Sequence, residues 1–292
     1  MINLKPCNFY DLLKKGEIMD ILQAIIIGLV QGLTEFLPVS SSAHLIFTQQ
    51  ALGVTDVGLA FDVLLHLGTL IAVVAYFFTD IINMIKGFLS SLLDLKEGKF
   101  ISEMKKDPYK KLAWLTILAT IPVGVVGVLF NDAIEAMFKG LTVPAFLLLI
   151  TGCLLYASQR MGSGRIDVRN VGLKEALIMG CGQAMAILPG LSRSGTTIAA
   201  GLFAGLDKEF AAKFSFILSI PAILGAAVFQ LKDLTAGNVD LLACFAGFVV
   251  AIISGYFAIS FLLKIIREKS LDIFAYYCWI VGIVVLVGSL II

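Results

Sequence analysis

The sequence predicts an all-α polytopic membrane protein, built as an inverted-topology repeat with six spanning helices and two re-entrant helical hairpins. Three observations lead there. Hydrophobic residues make up 59% of the 292 residues and charged residues 15%, with a mean hydropathy of +0.97, whereas soluble domains carry about 25% charged residues. Apolar runs at 59–79, 112–130, 141–158, 210–230, 240–263 and 271–292 each approach the ~20 residues a helix needs to cross a bilayer. The remaining runs, 21–38 with 43–54 and 173–188 with 195–206, come as adjacent pairs, and a proline with a hydroxyl cluster interrupts each pair.

The breaks are Pro38 with Ser40 to Ser42, and Pro189-Gly190 with Ser192 to Ser194. The second arm of each pair is about 12 residues, too short to cross. Non-helical backbone at membrane depth survives only where protein or a wet cavity surrounds it, so both turns are expected to point inward to one site. At an offset of 152, Gly28 falls on Gly180, Gln31 on Gln183, Ser40 on Ser192 and Ser42 on Ser194, while Ser41 meets Arg193 and Glu35 meets Ile187. Each half then reads as one hairpin followed by three spans. An odd number of crossings delivers the second half to the opposite side, which inverts the repeat. The expected layout is an N-terminal extension over 1–19 and one integral membrane domain over 20–292, with repeats at about 20–159 and 172–292.

Charge placement orients this arrangement. Lys and Arg within 81–111, 160–174, 208–213 and 264–269 fall on one side, sixteen in all, against Lys5, Lys14, Lys15, Lys139 and Lys232 on the other, with Arg193 set aside. The positive-inside rule makes the rich side cytoplasmic and places both termini outside the cytoplasmic membrane. The stretch 81–111 mixes apolar residues with lysines and is expected to include a helix lying on the cytoplasmic leaflet. A net charge of +1 excludes nucleic acid as a partner. Five cysteines without C-x-x-C spacing read as small apolar residues, with no disulfide or metal framework. Lys14 and Lys15 before 21–30 have the shape of a signal peptide, with Ser41-Ser42-Ala43 as its cleavage site, but the later spans insert without one.

Chemistry concentrates at the breaks. A charge at the bilayer centre costs about 2.5–3.5 kcal/mol, so Glu35 and Arg193 each need a polar partner. Ser41 and His44 are three apart, on one face of a short helix starting at the serines. Helix capping beside a buried histidine and a hydroxyl activated by an imidazole are both compatible with that spacing. Gln31 lies one turn before Glu35, two oxygen-bearing side chains that suit a hard divalent cation completed by phosphate oxygens. Pro189-Gly190-Leu-Ser192-Arg193-Ser194-Gly195 has the makings of an anion cradle, although it lacks the spacing of a Walker A loop. Thr197 adds a hydroxyl four residues on. Asp62 and His66 form either a local polar pair or a support for the site.

These elements, Gln31-x-x-x-Glu35, Pro38-x-Ser40-Ser41-x-x-His44 and Pro189-Gly190-x-Ser192-Arg193-Ser194-x-x-Thr197, resemble the undecaprenyl-diphosphate phosphatase family associated with bacitracin resistance. The resemblance runs from about Asp20 to Ile292. It implies an integral membrane enzyme that removes the terminal phosphate of undecaprenyl diphosphate at the outer face of the cytoplasmic membrane, regenerating the lipid carrier of cell-wall synthesis. It also implies dependence on Mg²⁺ or Ca²⁺. Carried residue by residue, Glu35, Ser41 and His44 become the catalytic set, and Arg193 the phosphate-binding arginine. Ser42, Ser192, Ser194 and Thr197 supply further phosphate donors, and Glu35 with Gln31 the cation ligands. Gln31 stands where some members have Glu, one carboxylate fewer for metal. A homodimer is an open expectation.

In the expected reaction Ser41 attacks the terminal phosphate, His44 takes its proton, and water hydrolyses the phosphoseryl intermediate; His44 as nucleophile or as activator of water is the variant. The rival function class is a secondary transporter or flippase of prenyl phosphate lipid, because inverted repeats with broken helices also build transporters. A binding protein for bacitracin or prenyl lipids is a third class.

Overall fold

The computed structural model describes residues 19–54, 59–161, 164–230 and 240–291. Apart from Met19, the expected N-terminal extension lies outside the described residues, as do the signal-peptide lysines Lys14 and Lys15, Lys5, Cys7 and Lys232.

Among the described residues the chain forms thirteen helices. In order these are α1 (Ile21–Phe36), α2 (Ser41–Ala51), α3 (Leu59–Tyr76), α4 (Phe78–Lys96), α5 (Phe100–Lys106), α6 (Pro108–Leu129) and α7 (Asn131–Met137). There follow α8 (Thr142–Met161), α9 (Leu173–Met185), α10 (Arg193–Phe203), α11 (Lys208–Gln230), α12 (Leu241–Glu268) and α13 (Asp272–Ile291). Five of them, α6, α8, α11, α12 and α13, are long and apolar enough to cross a membrane; α3 reaches that standard only together with α4, from which it is bent by 84°. The bend falls at Phe77, whose φ of −102° and ψ of 25° leave the helix and which offers no side-chain cap. Side chains such as Ile121, Val128, Phe257 and Ile280 are more than half exposed on these helices, an apolar surface that only lipid covers favourably. The protein is a multi-pass membrane protein.

Several boundaries differ from the apolar runs for local reasons. Helix α6 starts ahead of its run because Asp107 caps the amides of Tyr109 and Lys110 and Pro108 occupies the first turn. Helix α12 continues through Lys264 and Arg267 to Glu268, since Ile265 and Ile266 keep its last turn against the core while Arg267 pairs with Glu209. The stretch expected to hold a surface helix contains α4 and α5, with Ile85, Leu89 and Leu93 of α4 exposed.

Each broken pair folds back on itself. At the first, Gln23 Nε2 near the start of α1 donates to the Leu52 carbonyl just after α2, 3.4 Å away. At the second, Arg165 and Ile166 before α9 donate to the Gly205 carbonyl after α10, and Asp207 donates to Ile166. So α1–α2 and α9–α10 are helical hairpins whose two ends meet, with the breaks at their tips. The segments rich in Lys and Arg also converge. Lys213 and Tyr109 both reach Asp80, Lys110 pairs with Asp94 at 2.5 Å, and Arg160 with Asp272 at 2.9 Å. Lys111 donates to the Arg169 carbonyl, and Arg267 pairs with Glu209. These bonds tie α4 and the ends of α8 and α12 to the starts of α6, α11 and α13, and α6 to the segment before α9, gathering the basic segments at one end of the bundle.

Hairpin arm α1 packs along α12, and arm α9 packs along α6. Both contacts close on a glycine. A Cβ at Gly28 would lie 2.3 Å from the Gly247 carbonyl oxygen, and one at Gly180 would lie 2.3 Å from the Ala119 carbonyl oxygen. Small residues allow this backbone approach, the main source of helix association where no hydrophobic difference separates lipid from side chain. Gly28→Ala and Gly180→Ala are each expected to lower stability by about 1–3 kcal/mol, since overpacked backbone cannot yield. Thermal unfolding in detergent checks this, with Gly124→Ala, which meets nothing within 4 Å, leaving the midpoint unlowered.

Candidate active site

The two hairpin tips touch. After Phe36, Leu37 turns extended, and Ser40 adopts φ 69°, the one non-glycine residue with positive φ among those described. Holding a side chain in that region costs on the order of 1–3 kcal/mol and persists only where surroundings enforce it. Here they do. Ser40 Oγ caps α2 by accepting from the Ala43 amide, and its carbonyl accepts from the His44 ring at 2.8 Å. In the second tip Gly190 sits at φ 104° with its backbone against Pro144, a conformation and an approach open only to glycine. Ser192 Oγ caps α10 through the Gly195 amide, the counterpart of the Ser40 cap. The Ser40–Ser42 and Ser192–Ser194 hydroxyl pairs are each 3.2 Å apart. The tip carbonyls freed by the breaks are met from the spans: Thr151 of α8 donates to Gly190, and Cys278 of α13 to Pro38.

Three bonds cross between the tips. Ser194 Oγ donates to the Leu37 carbonyl at 3.0 Å, the Gly190 amide donates to Ser42 Oγ at 3.4 Å, and Arg193 Nη2 donates to Glu35 Oε1 at 2.5 Å. Glu35 is the hub. Its Oε2 accepts from Ser41 Oγ at 2.6 Å and from Gln31 Nε2 at 3.0 Å, and His66 Nε2 stands 3.7 Å away. The carboxylate is buried, its side chain 5% exposed. A cavity of about 260 Å³ opens beside it, walled by Glu35, Ser41, Ser42, His66, Gln183 and Arg193 and by apolar residues of α11. A wider, mostly apolar groove of about 760 Å³ lies between α8, α9 and α10, lined by Leu177, Met185 and Phe203 with Lys174, Cys181 and Thr196; it brings no carboxylate or imidazole.

The structure sorts the residues singled out from sequence. Glu35, Ser41, Ser42 and Arg193 come together at the cavity. His44 does not join Ser41. Its Nδ1 bonds a carbonyl, which only accepts, so the proton sits there, and in the neutral ring Nε2 accepts from the Tyr277 hydroxyl at 2.8 Å. Both nitrogens are engaged, and the rings stack with a 12° tilt. The Ser41 proton is instead directed at Glu35, the stronger acceptor within reach. Ser192, Ser194 and Thr197 are absent from the cavity wall: Ser192 caps α10, Ser194 ties the tips, and Thr197 bonds the Arg193 carbonyl and Ser215 of α11. Asp62 accepts from Gln49, joining α3 to α2, while His66 Nδ1 bonds the Asp62 carbonyl and turns Nε2 toward Glu35. Tyr277 and Gln183 escaped the sequence reading. Tyr277 lies 233 residues from His44 and inside an apolar run; Gln183 had a visible cue, its match to Gln31.

Several polar atoms here are left open. Arg193 Nη1, Gln31 Oε1 and both amide atoms of Gln183 are buried with no hydrogen-bond partner among the described residues. Each unmade hydrogen bond of this kind costs about 1–3 kcal/mol, so these atoms call for water or a ligand to meet them. The forked guanidinium keeps Nη2 on Glu35 and leaves Nη1 for an anion, an arrangement suited to phosphate oxygens. For a divalent cation the protein oxygens on hand are those of Glu35 and Gln31 Oε1, and among the described residues no three His, Cys, Asp or Glu side chains converge. That donor set fits a cation drawing most of its ligands from water and phosphate.

Comparison with known proteins agrees with this geometry. The family described as Bacitracin resistance protein BacA matches residues 24–284. The undecaprenyl-diphosphatase of Methanobrevibacter smithii is 65% identical over 274 residues, covering 93% of this chain and 99% of that protein. Proteins of the same name from Methanosphaera stadtmanae and Alkaliphilus metalliredigens are 49% and 43% identical, covering 94% and 93% of the chain and 99% and 100% of their own lengths. With both hairpins and nearly every spanning helix inside the matched region, the chain belongs to the BacA, or bacitracin resistance protein, family.

Proposed function

We propose that this chain hydrolyses undecaprenyl diphosphate to undecaprenyl phosphate and inorganic phosphate within the membrane. The observation that carries the reading is one carboxylate, Glu35, bonded at once to a nucleophilic hydroxyl and to a guanidinium with a free nitrogen, beside a cavity. The terminal phosphate seats against Arg193 Nη1 and the first-turn amides of α2 and α10, which helices leave without intrahelical partners. Ser41 Oγ then forms a bond to the terminal phosphorus as the bond to the bridging oxygen breaks, and its proton passes to Glu35. The prenyl monophosphate leaves. Glu35 hands its proton to the leaving oxygen of the prenyl monophosphate and is a carboxylate again when water attacks the phosphoserine. It takes one proton from that water and returns it to Ser41 Oγ as the phosphorus–oxygen bond breaks, so that Ser41 and free phosphate are restored. Phosphoryl transfer asks chiefly for positioning and charge neutralisation.

His66 faces Glu35 from the far wall and steadies its charge, while His44 holds the strained Ser40 turn from which Ser41 projects. A divalent cation, Mg²⁺ or Ca²⁺, would be held by Glu35 and Gln31 and would neutralise phosphate charge when bound. Ser41→Ala, Glu35→Ala and Arg193→Ala are each expected to slow phosphate release from a C55 prenyl diphosphate by about 100-fold or more in detergent-purified protein, and a chelator to suppress the wild type. Wild-type turnover in Arg193→Ala would remove the site as drawn. A transporter or flippase of prenyl phosphate lipid is not favoured, since translocation needs no hydroxyl aimed at a carboxylate.

The same reading places the hairpins as re-entrant segments of an inverted repeat in the cytoplasmic membrane. Reciprocity supports it: α1 rests on α12 as α9 rests on α6, and α13 serves the first tip as α8 serves the second. The basic end is cytoplasmic and carries α4 along the leaflet, and the first hairpin opens outward with both termini. In a cysteine-free background, Lys139→Cys is expected to react with an impermeant thiol reagent from outside intact cells and Lys99→Cys only after lysis. The opposite labelling would reverse the orientation.

A further inference from the structure

Among the described residues Gln183 is the buried side chain of the cavity wall with no bond at either amide atom, being only 1% exposed. Its counterpart Gln31 explains the oddity. Both lie near the end of a first hairpin arm, 152 residues apart, but Gln31 has Glu35 one turn on and gives its amide hydrogen to it at 3.0 Å, whereas Gln183 has Ile187 there. With an apolar residue in the carboxylate's place, nothing among the described residues receives the Gln183 amide. The neighbouring wall holds Arg193, itself with an unpartnered nitrogen. Two open donors, one cationic and one neutral, thus face one small space that also holds the nucleophile.

We infer that Gln183 is a substrate-binding residue whose Nε2 donates to a non-bridging oxygen of the diphosphate, beside the Arg193 contact. A diphosphate spreads its charge over two phosphoryl groups and rewards a second donor that a monophosphate leaves unused. Gln183 therefore favours the lipid diphosphate over the lipid monophosphate product. This rests on the diphosphatase reading above. The amide bonds the substrate before and during reaction alike, so its loss acts on KM more than on kcat.

The test uses the full-length protein in detergent with two probes, undecaprenyl diphosphate for turnover and a non-hydrolysable methylene-diphosphonate prenyl analogue for binding. Gln183→Met keeps the volume and removes both hydrogen-bonding atoms. It is expected to raise KM and the analogue Kd by about 10- to 100-fold, the range of a hydrogen bond to a charged group. Its kcat is expected within about threefold of wild type and its affinity for the prenyl monophosphate nearly unchanged. Its ligand-free unfolding midpoint is expected to hold or rise, because two buried unmade bonds are gone; a purely structural glutamine would lower it. Gln183→Glu, of the same size with an anionic oxygen in place of the donor, is expected to lose at least as much affinity. Analogue affinity within twofold of wild type in both variants overturns the inference. A wild type that releases no phosphate overturns the diphosphatase reading, and the analogue arm still decides the role of Gln183.

Discussion

The Glu35–Arg193 bond joins two hairpin tips that no backbone connects directly, and the site exists only while it holds. Breaking a buried pair by removing one partner leaves an uncompensated charge, about 3–5 kcal/mol in favourable cases. The pair is tolerated because its remaining capacity is used: Glu35 also receives Ser41 and Gln31, and its charge faces His66. What is left over belongs to Arg193 Nη1, Gln31 Oε1 and Gln183. The desolvation of two charges is thus offset only in part by the protein's own groups, and in the proposed reaction an anion in the cavity completes it. Binding and integrity of the core are coupled by the same atoms.

That bond depends in turn on how closely the hairpins are gripped. The arms reach the middle of the bundle because Gly28 and Gly180 let α12 and α6 approach to backbone distance. At the tips the chain leaves helical geometry where bulk lipid would offer no hydrogen bonds. Thr151 and Cys278 answer for the freed carbonyls, and each tip answers for part of the other through Ser42 and Ser194. The serines that look like phosphate ligands in sequence are therefore divided in labour. Ser192 and Ser194 hold their turn away from the cavity, whereas Ser40, which caps α2, lines it together with Ser41 and Ser42.

The helical architecture was legible because lipid imposes a length on apolar runs, and the breaks because Pro38 and Pro189 announce themselves. Helix ends were less so. Lys110, Lys111, Lys264 and Arg267 lower the hydropathy of turns that are still helical, since a helix end keeps its own backbone bonds while Lys110 and Arg267 find ion pairs and Lys111 a carbonyl. At the site, Glu35 and Arg193 stood out because a charge in an apolar run demands an explanation. Their partnership was less visible than their presence: spacing favours Ser41 with His44, while the fold gives Ser41 to Glu35 and His44 to Tyr277. Local periodicity fixes which residues share a helix face, but a hydroxyl rotates toward the strongest acceptor in three dimensions, and that acceptor lies across a turn of positive φ.

The offset of 152 carries a further consequence for the proposed repeat. Residues equivalent under a two-fold relation come close to one another only near its axis, and Ser41 and Arg193 are equivalent yet share one carboxylate as partner. The chemistry therefore sits where the two halves are most alike in backbone, with matching caps and matching 3.2 Å serine pairs, and least alike in side chain. In the proposed reaction one half supplies nucleophile and proton acceptor, Ser41 and Glu35, and the other supplies cation and neutral donor, Arg193 and Gln183. A symmetric pair of arginines there would repel and a symmetric pair of glutamates would hold no phosphate, so a single on-axis site requires that the halves diverge at these positions while keeping the turns that deliver them. Ile187 opposite Glu35 follows from that requirement: a second carboxylate at that place would claim the donors that the incoming diphosphate needs.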